Sequence, residues 1–491
     1  MIQPSHNITN IRIFTALLSL LLSTFSFYSD DIINSDGILY LDMAEAFLQF
    51  GLIGAMQLYD WPFFAILVAS LHTIIMLPLE LCADILNSLL FVLFTDTLIL
   101  ICSKILFNRQ QLIIAAIFIL CFQTFNEYRE FVSRDVGYWA FCSLALYRFM
   151  LFLESPTIKN ATIWQVVTIL AVLFRVEGVV ILLGLPLYLF AHQHPKLALK
   201  NELRLNYLLI IGALLASILA IGVSGLSASF GKISTVADYM DISSFVTDFS
   251  NRAHIIEEQI LSHFSNDYGA LILSSGLIIM LIYKLIKALS VSYIALYLLS
   301  RCQQKQLATT PYQRLIIYFI VLNIFILLAF LFHEYFISKR YTVMALAGIL
   351  LLMLPRISSY LEKAWAQKNK PILILAGIIL LVSLIDGTTQ SNSKAYIKDT
   401  AIWAGQNLPK NSTVLTDNLF IKYYFNVQDP DAKLTKANIK AYQHYDYLII
   451  IEKRKDTSAK DFLKNGTLNL IHSVQNRRKD RASIYRITTR P

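Results

Sequence analysis

The chain has 491 residues, 56% of them hydrophobic and only 15% charged, with a mean hydropathy of +0.56. A soluble globular protein carries roughly a quarter of its residues as charged side chains, so the composition excludes that class and indicates a polytopic membrane protein. The net charge of +9 lies late: from Gly387 onward there are 18 Lys/Arg against 9 Asp/Glu, and the remaining 24 of each cancel. Such a basic tail is either drawn to anionic headgroups or is a solvated surface.

Arg12 and the apolar run Ile13 to Phe27 have the outline of a signal peptide. No small-residue cleavage site follows before Ser29-Asp30, so the segment reads as a retained first helix over 11–28. A polar loop from Asp30 to Asp60 comes next. Within it Asp36, Tyr40 and Ala44 fall at i, i+4 and i+8 and share a helical face, with Gly51 as a natural stop. Asp36 is either an N-cap or a functional carboxylate. Trp61 to Leu79 either spans or lies along the interface.

Later spans are expected over 85–103, 110–126, 136–153, 162–174, 176–191, 205–223, 286–300, 313–333, 341–355 and 371–386, each approaching the ~20 residues that cross a bilayer. Residues 269–283 are a second ambiguous stretch. With both ambiguous stretches in the interface, one side receives Lys104, Arg109, Lys159, Lys196, Lys200, Arg204, Arg301, Lys305, Arg314, Arg356, Lys363, Lys368 and Lys370. The positive-inside rule makes that side cytoplasmic. The other side then receives the loops of Asp36, Asp135, Arg175 and Lys339, the loop 224–268 and the tail.

Arg175 and Glu177 sit between two short apolar segments, where ionisable groups are costly and face either a cavity or each other. In the loop of Asp135, Glu127 and Glu130 are alternative acids, which Arg129 or Arg134 could neutralise. His333-Glu334 is a helix-end contact or a functional dyad. The five cysteines, Cys82, Cys102, Cys121, Cys142 and Cys302, lie in or beside apolar segments without a C-x-x-C pair, so no disulfide framework or zinc site is expected. In the tail, Ala395–Asn407 reads as an amphipathic helix ended by Leu408-Pro409. Thr413–Thr416 and Tyr445–Ile451 read as strands, and Ser483–Ile487 as an edge strand. Carboxylates and cations gathered at a bilayer rim suit attack on a lipid-borne phosphoester better than they suit a pore.

The order of several motifs carries a family resemblance. Asp36-x-x-x-Tyr40-x-x-x-Ala44, ending in Gly51, precedes Asp60-Trp61-Pro62 and an apolar segment. Asp135 stands just before a helix, and Leu173-Phe174-Arg175-Val176-Glu177-Gly178 and Lys339-Arg340-Tyr341 follow. The tail adds Trp403 and Leu408-Pro409-Lys410-Asn411-Ser412-Thr413-Val414. Together these resemble the integral-membrane GT-C glycosyltransferases, the group that includes aminoarabinose transferases of lipid A and protein O-mannosyltransferases.

The resemblance implies a helical membrane domain over 1–387, with about 11 spans, and a small extracytoplasmic α/β domain over 388–491. It also implies inverting transfer of a sugar from a polyprenyl-phosphate donor to a lipid, glycan or protein acceptor, at the outer face of a bacterial inner membrane, with membrane lipids and no nucleic acid as further partners. Asp36 would be the general base. Asp135 would position the acceptor or help hold a divalent metal, for which the Ser35-Asp36-Gly37 loop lacks the paired acids of many members. Arg175, Lys339 and Arg340 would take the leaving phosphate, and Tyr40, Arg134, Glu177 and Tyr341 would complete the substrate site. A lipid-linked glycan flippase or transporter, an O-antigen ligase or polymerase, and a structural subunit remain open alternatives.

Overall fold

The computed structural model describes residues 8–29, 31–212, 242–303, 310–389, 393–428, 433–454 and 468–488. Asp30, most of the span expected over 205–223 and the first part of the loop 224–268 lie outside the described residues. Among the described residues eight helices are long and apolar enough to cross a membrane. They are α1 (Thr9–Ser29), α2 (Ser35–Leu58), α3 (Leu79–Ile105), α4 (Arg134–Glu154), α5 (Gly269–Leu289), α6 (Tyr312–Glu334), α7 (Val343–Ala366) and α8 (Lys370–Thr388). Their outward faces leave large apolar side chains uncovered, as with Phe14, Leu17, Leu21 and Phe25 on α1 and Leu271, Ile279 and Tyr283 on α5. A contiguous exposed apolar surface of this kind needs lipid as its solvent. The chain is a multi-pass helical membrane protein with a small C-terminal sheet.

Several expected spans take a different form. The polar loop expected over 30–60 is mostly helical, as α2, and its backbone leaves helical geometry at Gly51 (φ 66°, ψ −157°), so the glycine stops the first helical stretch and a second follows it across a kink. Trp61 to Leu79 yields only the 13-residue helix Phe63–Ile75, closed by Met76 in the left-handed region. At 1.5 Å per residue this is too short to span. Residues 269–283 belong to the 21-residue α5, long enough to cross. Its buried Leu277 and Leu281 nevertheless pack with Leu327 and Leu331 near the end of α6 and with Ile337 and Ala345 around the start of α7. The span expected over 176–191 is a shorter apolar helix, Gly178–His192, that tightens into a 3-10 turn at Leu185–Leu187, where Pro186 sits. The segments 110–126 and 286–300 supply helices of 12 and 13 residues, Arg109–Leu120 and Val291–Gln303.

The chain divides into two compact units. The first holds residues 1–23, 43–129 and 133–388. Its helix ends gather in two sets. At one end Lys104 pairs with Glu154 at 2.9 Å and Tyr312 donates to the same carboxylate. There too Asn108 and Gln111 donate to Glu362 at 2.8 and 2.7 Å, and Arg204 donates to the Pro156 carbonyl at 3.0 Å. These are the termini that the Lys/Arg distribution assigns to one side. The loops carrying Glu127, Asp135, Arg175 and Lys339–Tyr341 come together in the other set.

The second unit holds 24–42, 130–132 and 389–491. Its tail forms a five-stranded sheet in the order β2-β1-β3-β5-β4, from β1 (Thr413–Thr416), β2 (Lys433–Lys436), β3 (Tyr447–Glu452), β4 (Leu468–Gln475) and β5 (Arg481–Ile487). The β1–β2 and β1–β3 pairs are parallel, and β5 is antiparallel to both β3 and β4. The strand expected at the edge, Ser483–Ile487, is therefore internal. Its buried run Ala482–Tyr485 has a neighbouring strand on each side. Helices α9 (Ala395–Asn407) and α10 (Leu419–Gln428) complete this part.

Candidate functional site

Within the first unit seven of the nine residues singled out in the sequence come together. Ser133 caps α4, its hydroxyl accepting from the Asp135 amide at 3.2 Å and donating to the Asp135 carboxylate at 3.1 Å. This fixes Asp135 in the first helical turn, where a carboxylate meets the positive end of the helix dipole. Arg175 follows the helix Ile158–Phe174 in extended backbone geometry and reaches across to donate from Nη1 to Asp135 Oδ1. Arg340 lies in the 3-10 turn that opens α7 and places Nε 3.3 Å from Asp135 Oδ2. One buried carboxylate, 3% exposed, is thus shared between two guanidiniums. Arg175 also donates to both oxygens of Glu177.

Tyr341 lies between the same cations. The Arg175 guanidinium carbon stands 4.6 Å, and that of Arg340 5.3 Å, from the centre of its ring, and such contacts favour a cation over an aromatic face. Arg175, Glu177 and Tyr341, with Tyr138, Trp139 and Phe330, line a recess. Lys339 forms an ion pair with Glu127, whose other oxygen accepts from Gln123 at 2.9 Å. Arg134 donates to the Tyr59 hydroxyl at 2.9 Å and lies 5.0 Å over that ring.

The neutralisation expected around the second loop takes another form. Arg129 is buried and donates to the Ser19 carbonyl and hydroxyl, the Ser23 hydroxyl and the Asn126 side chain, and lies 4.7 Å over Phe91. Neutral oxygens and a ring face take the interactions expected from Glu127 or Glu130. The cation that meets Glu127 is Lys339, 212 positions away in the chain. No local spacing reveals that pair. Asn323, which also lines the recess, was legible as the polar residue in the middle of the most apolar span. His333 contacts its neighbour Glu334 at 3.1 Å on an exposed helix end.

Asp36 and Tyr40 belong to the second unit. Asp36 is half-buried in the first turn of α2, and Tyr40 and Ala44 are buried along the same face. Just before them Asn34 grips the backbone of Val132 at two points, donating to its carbonyl at 3.2 Å and accepting from its amide at 2.9 Å. Among the described residues no group of three or more His, Cys, Asp or Glu side chains is gathered as a metal site.

No protein-family profile and no curated protein matches this chain. Among solved structures it is similar to the crystal structure of ArnT from Cupriavidus metallidurans in the apo state, with 13% sequence identity and a TM-score of 0.40 over 97% of this chain and 98% of that one.

Proposed function

We propose that this protein is a membrane glycosyltransferase of the GT-C kind that moves a sugar from a polyprenyl-phosphate carrier to a hydroxyl of an extracytoplasmic acceptor. The observation that carries this reading is the pair of arginines, Arg175 and Arg340, drawn together by Asp135 around Tyr341 at a recess of the membrane unit. Guanidinium forks match phosphate oxygens, and charge that develops on a leaving phosphate needs preorganised cations. In the reaction the acceptor oxygen bonds to the anomeric carbon while the bond from that carbon to the carrier's phosphate oxygen breaks. The electron pair leaves with the phosphate, and the acceptor proton goes to Asp36. Asp135, with an arginine on each oxygen, acts as a positioning residue for the cations. Lys339 and Glu177 tune the same charge cluster, and Tyr341 spaces its two guanidiniums.

Transfer from a labelled polyprenyl-phosphate sugar into membrane acceptors, measured beside donor binding, tests the roles separately. Asp36→Asn keeps the shape and removes the base, so transfer is lost while the donor still binds. Arg340→Ala weakens donor binding by about 1.5–3 kcal/mol, the worth of a hydrogen bond to a charged group, and Arg340→Lys restores only part of it. Full transfer by Asp36→Asn would remove Asp36 as base.

A further inference from the structure

The recess beside the arginine cluster holds two polar groups that the fold leaves unmet. The two charged residues that line it, Arg175 and Glu177, are paired with each other. Tyr138 on α4 and Asn323 on α6 line the same recess. Tyr138 is 6% exposed, and its hydroxyl has no hydrogen-bond partner among the described residues. The Cys142 thiol, one turn further along α4, is the polar group beside it, and a thiol is only a weak donor and a weak acceptor. Asn323 is 4% exposed in the middle of the most apolar span. Its amide nitrogen donates to the Phe319 carbonyl at 2.8 Å, one turn back in its own helix. That bond fixes which side-chain atom is the oxygen, and Oδ1 meets no donor among the described residues. A buried polar group without a partner destabilises the empty protein, and two at one recess need a reason beyond the fold.

We propose that Tyr138 and Asn323 bind hydroxyls of the sugar on the donor and so select which sugar is used. The inference rests on the glycosyltransferase reading and deepens it: the arginines take the phosphate of the donor, and these two residues take its sugar. The chemistry excludes the other parts of the donor. Asn323 Oδ1 only accepts, so the ligand must bring a hydrogen on oxygen or nitrogen to it. A phosphodiester ionised at neutral pH has none, and an isoprenoid chain has none either. A sugar hydroxyl donates to Asn323 Oδ1, and it both donates to and accepts from the Tyr138 hydroxyl. Trp139, Ile326 and Leu327 on the same walls are apolar and suit the C–H faces of a sugar ring. The sugar is bonded directly to the phosphate, and Arg175 lines the recess with both residues, so the two ends of the donor headgroup take neighbouring places.

The test compares the binding of two kinds of carrier to the full-length protein in lipid nanodiscs. One is a bare polyprenyl phosphate, and the other is the same carrier bearing glucose, galactose, mannose or arabinose. At least one glycosylated carrier is expected to bind more tightly than the bare one. Tyr138→Phe and Asn323→Leu should each weaken its binding by about tenfold, the loss of one hydrogen bond in a buried site, and leave the bare carrier's binding unchanged. Tyr138→Phe keeps the ring and removes only the unmet hydroxyl. Its thermal unfolding temperature without ligand should therefore equal or exceed that of the native protein. A lower temperature would show that the hydroxyl serves the fold, and would overturn the proposal. It is overturned as well if no glycosylated carrier binds more tightly than the bare one, or if binding of that carrier is unchanged in either variant, which would leave water as the occupant. Equal weakening of both carriers would assign the two residues to the phosphate and refute the sugar role. The measurement needs no turnover. A sugar-dependent advantage in a protein that transfers nothing would refute the proposed function alone. Transfer by a protein whose donor binding is indifferent to both substitutions would refute the sugar site alone.

Discussion

At the scale of single residues, the same pairing of carboxylate and guanidinium does two kinds of work in this protein. Asp135 holds two arginines beside a recess, whereas Glu452 at the end of β3 has its partners inside the sheet. Arg481, its cross-strand neighbour, donates to it at 2.9 and 2.6 Å, and Tyr485 donates at 2.9 Å. Burial raises the Glu452 pKa, and the hydrogen bonds from Arg481 and Tyr485 outweigh it, leaving the carboxyl below its usual range. Burial and the adjacent carboxylate push the Tyr485 phenol up to about 12. A carboxyl that is more acidic when folded stabilises above its unfolded pKa, near 4.3, and loses that contribution as pH falls through the folded value. Glu452→Gln should therefore cost about 1.5–3 kcal/mol at neutral pH, with the difference from the native protein shrinking below about pH 4. Thermal unfolding of the tail followed through fluorine-labelled Trp403, which stacks on His472 at 4.1 Å, reads this directly. A pH-independent difference would show that the carboxylate charge plays no part.

At the scale of elements, the site depends on how closely α4 approaches the helix Ile158–Phe174. A methyl group on Gly137 would stand 2.2 Å from the Phe174 ring. That ring cannot swing aside: it is buried, stacked on Phe141 at 5.6 Å and edge-on to Phe63 at 5.1 Å. Phe174 adjoins Arg175, and Gly137 lies two residues beyond Asp135, so the glycine sets the separation of the two ion-pair partners. Gly137→Ala should destabilise by about 1–3 kcal/mol through overpacking and weaken polyprenyl-phosphate binding as the Arg175–Asp135 contact opens. Thermal unfolding in detergent and donor binding measure the two effects. Normal donor binding in a folded Gly137→Ala protein would detach the cation pair from this packing contact. The sequence shows the glycine but not its neighbour, because Gly137 and Phe174 are brought together only when two helices pack.

At the scale of the whole molecule, the cluster around Lys104, Glu154 and Glu362 and the cluster around Asp135 and Arg340 hold opposite sets of helix termini in the membrane unit. The excess of Lys and Arg in the first set predicts that it faces the cytoplasm. Single cysteines test the sidedness, with the exposed Cys302 replaced by alanine. Lys159→Cys, beside the first set, should react with an impermeant maleimide only after the membrane is opened. Phe336→Cys, exposed beside the second set, should react in intact cells. The reverse pattern would invert the topology and place the proposed chemistry on the cytoplasmic face.

Composition alone made this a multi-pass membrane protein, because 56% hydrophobic residues leave more apolar surface than a water-soluble core can hide. Local periodicity also sufficed for the helix Ala395–Asn407 and the strand Thr413–Thr416, whose signals are complete within a few residues. Tertiary structure decided the rest. An apolar stretch reads alike whether it crosses or lies flat, so only packing separated the short helices Phe63–Ile75 and Gly178–His192 from the long ones. The internal place of Ser483–Ile487 depended on β3, which is not its neighbour in the chain and pairs with it on the side away from its hairpin partner β4. The site was visible as residue types, but which arginine meets which carboxylate was not. Lys339 finds Glu127 and Arg340 finds Asp135 across some two hundred residues, and the fall in free energy that selects those partners exists only once the helices have brought the charges out of water together.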